Sequence, residues 1–234
     1  MLHLGRKIMK RILLSVIMLF VSTIAFAGNN DIYITQTGTG LTLTIDQIGA
    51  TNTVGSSNTR ATLSGTSMTV DIDQIGDSNS LVASILQGNS SSWTYTNTGD
   101  SGSATFAVGA TGDVASSDFD FAATGDSNVL VWTQGAAATA TGGNQDFAIT
   151  GTSNNINATC EVVGCINNWT ISGNSNDIDT TQTGTADHQI TFALTGGGNN
   201  IDVDQTDTTS TNVAVVTATT TNGTIDIDQC ASGC

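Results

Sequence analysis

The sequence predicts an all-β protein built as a β-solenoid, and three observations lead to this fold class. Short stretches alternate apolar and polar residues, which is the two-residue period of a strand with one buried face. Each stretch is followed by Gly, Asn, Ser or Asp, the residues that favour tight turns. The strand-and-turn unit then recurs between residues 32 and 229, and such self-similarity is typical of stacked repeats.

The clearest unit covers residues 70–79, where two aspartates alternate with apolar residues and Gln74 is in phase with the apolar ones. Gly76 and the Asp-Ser-Asn run that follows it supply the turn. The middle of the chain, residues 91–176, keeps the turns but mostly lacks the glutamines. Further copies of the unit occupy residues 44–52, 32–38, 178–184, 201–205 and 225–229.

The spacing of the units favours a solenoid over a β-sandwich or a barrel, because those folds have unequal loops and strands that do not repeat. Gln182, Gln205 and Gln229 are 23 and 24 residues apart. We therefore expect stacked strand-turn-strand coils of about 23 residues each. About nine such coils would form a body on the order of 43 Å long at one strand spacing per coil.

A solenoid explains glutamines that are in phase with Ile and Val. Identical amides stacked at strand spacing bond one another as a ladder, which satisfies groups that would be costly to bury alone. The alternative is that each glutamine is exposed to solvent in a loop. The predicted ladder residues are Gln36, Gln47, Gln74, Gln87, Gln182, Gln205 and Gln229, and the predicted turn residues are Gly38, Gly49, Gly76, Gly184, Asn52 and Asn79.

Residues 1–27 differ in kind from the rest, with a basic start, a short apolar run and a small-residue cleavage site before Gly28. This pattern predicts a secretory signal peptide, since the apolar run is too short for a membrane span. Residues 28–234 then form a single domain that is secreted to the extracellular space or the cell surface. No membrane span is expected in the mature chain.

The mature chain is strongly acidic. All 20 acidic residues follow Gly28, against Arg60 as the one remaining Lys or Arg, which gives a net charge of −19. Nucleic-acid binding needs clustered Lys or Arg and is excluded. Strand parity places the aspartates on the outer face, where they either limit association or bind cations; the set is Asp71, Asp73, Asp202, Asp204, Asp226 and Asp228.

Four cysteines in a secreted chain imply disulfides, with three connectivities open. Cys160 and Cys165 are close in sequence, as are Cys230 and Cys234, and this spacing favours local pairs. A zinc site is the rival interpretation, but no histidine is near the cysteines. No metal or other cofactor is expected.

The sequence does not predict an enzyme. It contains no nucleophile elbow, metal-binding box or phosphate loop. His188 is interpreted as a turn residue. Two binding alternatives rest on weaker patterns: Thr-x-Thr triplets such as residues 94–96 suggest ice binding, and the Gly/Asn/Asp run at residues 196–202 suggests calcium binding.

The unit Gln-x-Gly-x-x-Asn, followed by a second strand ending in Gln, resembles the curlin repeat of bacterial curli fibre subunits. The best copy is residues 74–87, and the next is residues 47–52. The resemblance covers residues 32–90 well and residues 178–229 more weakly, and the four cysteines depart from the family pattern.

The resemblance implies a structural subunit of extracellular amyloid fibres in a biofilm matrix, self-associating by end-to-end stacking of coils, with room for a secretion or nucleation partner. The alternative is a non-polymerising secreted or cell-surface solenoid that acts in adhesion. In either case the glutamines are structural.

Overall fold

The structure is a computed structural model, and it describes residues 30–49, 51–55, 61–99, 101–109, 114–135, 143–161, 165–183, 188–206 and 212–230. The predicted signal peptide and Gly184 lie outside these residues. Across the described part of the chain the secondary structure is strand and turn, and none of it forms a helix with the length and apolarity to cross a membrane.

The chain is a β-solenoid of about seven turns with roughly 24 residues in each turn, which confirms the predicted fold class. Two parallel sheets face each other, and each full turn contributes strands to both. Sheet 1 contains β1 (Asn30–Ile32), β2 (Thr35–Thr37), β4 (Thr51–Val54), β5 (Ala61–Ser64), β7 (Ser78–Gln87), β9 (Ser101–Val108), β11 (Ser127–Gln134), β13 (Asn155–Cys160), β15 (Asp177–Thr183), β17 (Asn200–Thr206) and β19 (Thr224–Cys230). Sheet 2 contains β3 (Thr42–Ile48), β6 (Thr69–Ile75), β8 (Ser92–Thr98), β10 (Asp118–Thr124), β12 (Asn144–Thr150), β14 (Ile166–Ser172), β16 (Gln189–Thr195) and β18 (Val213–Thr219).

The prediction of about nine coils is wrong, because the turns are not uniform in length. The first turn advances 27 residues, from Thr42 to Thr69, whereas a later one advances only 22, from Asn144 to Ile166. The 23-residue spacing of the glutamines near the C-terminus is shorter than the turns in the middle of the chain. Corner loops absorb the differences, so the strands themselves remain in register.

The register places equivalent residues of successive turns directly over one another, in columns that run along the solenoid. Inward-facing and outward-facing side chains alternate along each strand, as the pattern of β10 shows, where Phe119, Phe121 and Ala123 are buried and their neighbours are not. The inward columns from the two sheets form one continuous hydrophobic core. The fold therefore turns each repeated sequence position into a row of stacked side chains.

Candidate assembly site

The corner between the two sheets is built by the Gly-x-x-Asn part of the repeat. In each of five turns the asparagine Nδ2 donates a hydrogen bond to the carbonyl oxygen of the glycine three residues before it, which closes the bend. The pairs are Asn79 with Gly76 (3.4 Å), Asn128 with Gly125 (3.2 Å), Asn154 with Gly151 (3.2 Å), Asn176 with Gly173 (3.0 Å) and Asn199 with Gly196 (3.1 Å).

Glycine is required at these corners because successive corners approach closely. A Cβ on Gly173 would overlap the carbonyl oxygen of Gly151 in the preceding turn, and the φ of Gly173 is +145°. The predicted turn residues Gly49 and Gly76 end their strands in the same way, with φ of 155° and 157°, and Gly38 (φ 152°) ends β2. Residues with a Cβ rarely adopt this conformation.

The asparagines of these corners form a buried column that stacks through the later turns. Asn128 Nδ2 donates to Asn154 Oδ1 at 3.1 Å, Asn154 Nδ2 donates to Asn176 Oδ1 at 2.8 Å, and Asn176 Nδ2 donates to Asn199 Oδ1 at 3.1 Å. Each Oδ1 also accepts a bond from the backbone N–H of the preceding asparagine, at 3.0 to 3.2 Å. Because these amides are almost completely buried, each depends on its neighbours for its hydrogen bonds.

At the third corner of this column Gly102 stands where the neighbouring turns have asparagine. A Cβ at Gly102 would overlap the side-chain amide of Asn97, because Asn97 reaches into the space from the facing sheet. Asn97 Oδ1 accepts a hydrogen bond of 2.8 Å from Asn79 Nδ2. An amide from the second sheet thus substitutes for the missing one.

The glutamines stack in two separate columns, one in each sheet. In sheet 2, Gln74 Nε2 donates to Gln47 Oε1 at 2.6 Å, and the hydroxyl of Tyr95 donates to Gln74 Oε1 at 2.7 Å. Burial raises the pKa of Tyr95, so that the hydroxyl stays protonated as a donor. Both glutamines are buried.

The second glutamine column lies in sheet 1 near the C-terminus. Gln205 Nε2 donates to Gln182 Oε1 at 2.7 Å, and Gln229 Nε2 donates to Gln205 Oε1 at 2.5 Å. Gln182 and Gln205 are buried, whereas Gln229 is exposed because it lies in the last described strand. In register with this column lie Cys160 and Gln134, so a cysteine interrupts the amides.

Two glutamines do not join either ladder, and the prediction for them is wrong. Gln87 is exposed, because the register between β5 and β7 shifts at Leu63/Ser64 and pairs Gln87 with the outward-facing Ser64. Gln36 is half-buried and lies opposite Leu63, not opposite another amide. The short spacings that include these residues connect one sheet to the other and do not correspond to full turns.

An aromatic column fills the core where the glutamines are missing. Tyr95, Phe121, Phe147, Trp169 and Phe192 occupy one inward position of sheet 2 in five successive turns. Their ring centroids are 5.0 to 5.9 Å apart, in the range of favourable aromatic pairs. Sequence reasoning missed this column, although the spacing of the aromatic residues by 22 to 26 positions is a usable signal.

The aspartates face outward as predicted by parity, and they also stack. Asp179, Asp202 and Asp226 form one column of sheet 1, with Asp204 and Asp228 in another. Desolvation and then the neighbouring carboxylates raise the pKa of Asp202.

The same causes act on sheet 2. Desolvation and then the carboxylates of Asp73 and Asp46 raise the pKa of Asp71, while Asp146 and Asp118 add to desolvation in raising the pKa of Asp120. Folding thus brings like charges together on the outer surface of both sheets.

Cys160 and Cys165 form a disulfide across a corner of the solenoid. The second predicted pair is not testable, because the side chain of Cys230 and the whole of Cys234 lie outside the described residues. Within the described ranges no group of three or more His, Cys, Asp or Glu side chains is arranged to hold a metal ion.

The C-terminal end of the solenoid presents core residues without a further strand over them. Ile225 and Ile227 in β19 are 40% and 37% exposed, whereas Ile201 and Val203, their counterparts one turn earlier, are fully buried. The backbone of β19 is likewise paired on one side only, with β17. This end is both apolar and rich in unpaired backbone groups, the combination that templates strand addition.

No protein-family model, curated protein or solved structure matches the chain. The geometry of the site is therefore the basis for its function.

Proposed function

We propose that the chain is a secreted structural subunit of extracellular curli-like fibres, which assembles by end-to-end stacking of its coils. The observation that carries the proposal is the uncovered last turn, in which Ile225, Ile227 and Gln229 face the position of a further strand. A second copy placed there would bury these side chains and pair the free edge of β19. The resemblance of residues 74–87 to the curlin repeat supports the same role.

The columns inside the solenoid favour growth in one dimension. Each turn repeats the positions of the turn before it, so a copy added at the end meets the same kind of surface that its own turns present to one another. The acidic outer faces oppose contact between the sides of two solenoids, because like charges repel when the surfaces meet. Growth at the ends and repulsion at the sides together give a fibre.

The test uses the purified chain from Gly28 onward, incubated and followed by thioflavin fluorescence, electron microscopy and light scattering. A fibre subunit forms fibres of uniform width, and fragments of these fibres remove the lag phase of a fresh sample. A chain that stays monodisperse over the same time contradicts the proposal and supports the adhesive, non-polymerising solenoid.

A matched pair of substitutions tests whether the last turn is the contact surface. Ile225 and Ile166 are both isoleucines with 40% and 41% of their side chains exposed, but Ile225 faces the open end and Ile166 faces outward from the middle of sheet 2. Ile225→Asp places a charge where the next copy would bury it, at a cost of several kcal/mol. The concentration needed for fibre growth should rise by more than tenfold for Ile225→Asp and stay unchanged for Ile166→Asp. Equal effects of the two substitutions would contradict the contact.

A further inference from the structure

The first and last strand layers of sheet 1 carry the same inward-facing residues. Residues 32–36 read Ile-Tyr-Ile-Thr-Gln, and residues 225–229 read Ile-Asp-Ile-Asp-Gln. The inward positions are therefore Ile, Ile and Gln at both ends of the solenoid. We infer that the fibre junction is a head-to-tail contact between these two segments, with Gln36 of one copy stacked on Gln229 of the next; this inference rests on the proposed fibre function.

The register of the sheet shows that the two segments occupy equivalent positions. Gln36 pairs with Leu63, and Gln229 pairs with Gln205, and both pairs belong to the same column. The column follows the chain of paired residues through every layer of the sheet: Gln36, Leu63, Ile85, Val108, Gln134, Cys160, Gln182, Gln205 and Gln229. Ile32 likewise starts the column that ends at Ile225, through Val54 and Leu81. A copy stacked on β19 along the solenoid axis therefore places residues 32–36 over residues 225–229 without any shift in register.

The polarity of the amides suits this junction. Along the column, each Nε2 donates to the Oε1 of the glutamine one turn nearer the N-terminus, as Gln205 does to Gln182 and Gln229 to Gln205. The Oε1 of Gln229 is then directed to the next layer. Gln36 of the added copy brings an Nε2 to that position, and a stacked amide pair continues the ladder across the junction.

The outer face of the junction favours head-to-tail over tail-to-tail contact. The columns that contain Asp226 and Asp228 continue onto Tyr33 and Thr35 of the next copy, so the stacked carboxylates end at the junction. Two C-terminal ends brought together would instead oppose these carboxylates to one another. Tyr33 is 57% exposed, which leaves its side chain available for the contact.

Chain topology adds a consequence for sheet 2. Within the described residues sheet 1 has nine strand layers along its path from β1 to β19, whereas sheet 2 has eight. In a continuous solenoid a strand of sheet 2 separates two successive strands of sheet 1, and the junction lacks that strand. The edge of β18 therefore stays unpaired in the fibre while the edge of β19 becomes paired.

Cysteine cross-linking tests the register directly. The background carries Cys230→Ser and Cys234→Ser, so that only the native Cys160–Cys165 disulfide remains. Copies with Tyr33→Cys are mixed with copies carrying Asp226→Cys, assembled and oxidised. Paired residues on neighbouring strands are about 4.8 Å apart, within the reach of a disulfide. The matched control is Asp202→Cys, which lies in the same exposed column one turn further from the end.

The expected result is a covalent dimer from Tyr33→Cys with Asp226→Cys, and at least tenfold less from Tyr33→Cys with Asp202→Cys. Hydrogen exchange of the same fibres should show protected amides in residues 224–230 and faster exchange in residues 213–219. Fibres that form without the cross-link, or with Asp226→Cys linked to itself, overturn the junction but leave the fibre function standing. Failure of all samples to form fibres, including the parent chain, overturns the fibre function as well.

Discussion

Replacing Asn154 by alanine tests the asparagine column at its best-connected position. The side chain is 1% exposed and takes part in four hydrogen bonds. Its Nδ2 donates to Asn176 Oδ1 at 2.8 Å and to the Gly151 carbonyl at 3.2 Å, and its Oδ1 accepts from the Nδ2 and backbone N–H of Asn128 at 3.1 and 3.2 Å. Asn154→Ala removes all four and leaves buried groups on both neighbours without these partners.

The magnitude follows from the bonds lost. At about 1 kcal/mol net for each hydrogen bond, the free energy of unfolding should fall by about 4 kcal/mol. For a chain of this size that corresponds to a melting temperature lower by roughly 12 °C. Asn155→Ala is the matched control, because Asn155 is the adjacent residue in the chain but is exposed on the outer face. Its substitution should change the free energy of unfolding by less than about 0.5 kcal/mol.

Urea titration of the two variants and the parent, followed by circular dichroism, provides the measurement. The slope of the unfolding free energy against urea should be the same for all three, so that midpoints report stability. Equal midpoints for Asn154→Ala and Asn155→Ala would refute the reasoning, since burial and stacking would then contribute nothing beyond the residue type.

Three further predictions address the corner, the core and the surface. Gly173→Ala should prevent folding or lower the melting temperature by more than Asn154→Ala does, because its Cβ would overlap the Gly151 carbonyl; an unchanged melting temperature would show that the corners have room. Trp169→Ala should cost about 3 to 5 kcal/mol in urea titration, whereas Trp169→Phe should cost far less, because the buried Nε1 of Trp169 has no hydrogen-bond partner to lose and a phenyl ring preserves the column; equal costs would contradict this. The pKa values of Asp120 and Asp202 are raised in the folded protein, so the folded state binds more protons just above the ordinary carboxyl pKa, and stability is lost as pH rises through the raised values. Thermal melts should therefore give a higher melting temperature near pH 4 than at pH 7, with a smaller difference in the double variant Asp120→Asn, Asp202→Asn, and the reverse order of melting temperatures would contradict the assignment.

The strand and corner positions could be predicted from the sequence because each carries a local physical cause. The alternation around Ile72 and the glycine at position 76 are sufficient to predict a half-buried strand followed by a bend. The weaker copies that lack glutamine, such as the one ending at Asn154, kept the same corner chemistry. The corner is therefore the most reliable part of the repeat.

The stacking partners were harder to predict, because they depend on loop lengths that the repeat does not fix. Gln36 and Gln87 match the repeat locally, yet loop lengths and the register shift at Leu63/Ser64 place them outside both ladders. The substitution of Asn97 for an amide at Gly102 depends on a contact between the two sheets. Such contacts follow only from the three-dimensional register.

The aromatic column was missed for a related reason. Tyr95 and Trp169 were noted as departures from the glutamine pattern, but their common spacing with Phe121 and Phe147 was not used. Stacked rings and stacked amides solve the same problem, since each fills one inward position of every turn with a side chain that contacts its own kind. A search for any residue class recurring at the turn length would have found both.

Helical reconstruction of the assembled fibres by electron cryomicroscopy tests the central claim most directly. Nine strand layers of sheet 1 in each subunit, at about 4.8 Å for each layer, predict a subunit repeat of about 43 Å along the fibre axis. The strands should lie across that axis, with Gln229 of one copy over Gln36 of the next. A subunit repeat of one strand spacing, as in a fibre of flat stacked chains, or strands running along the axis, would contradict the account.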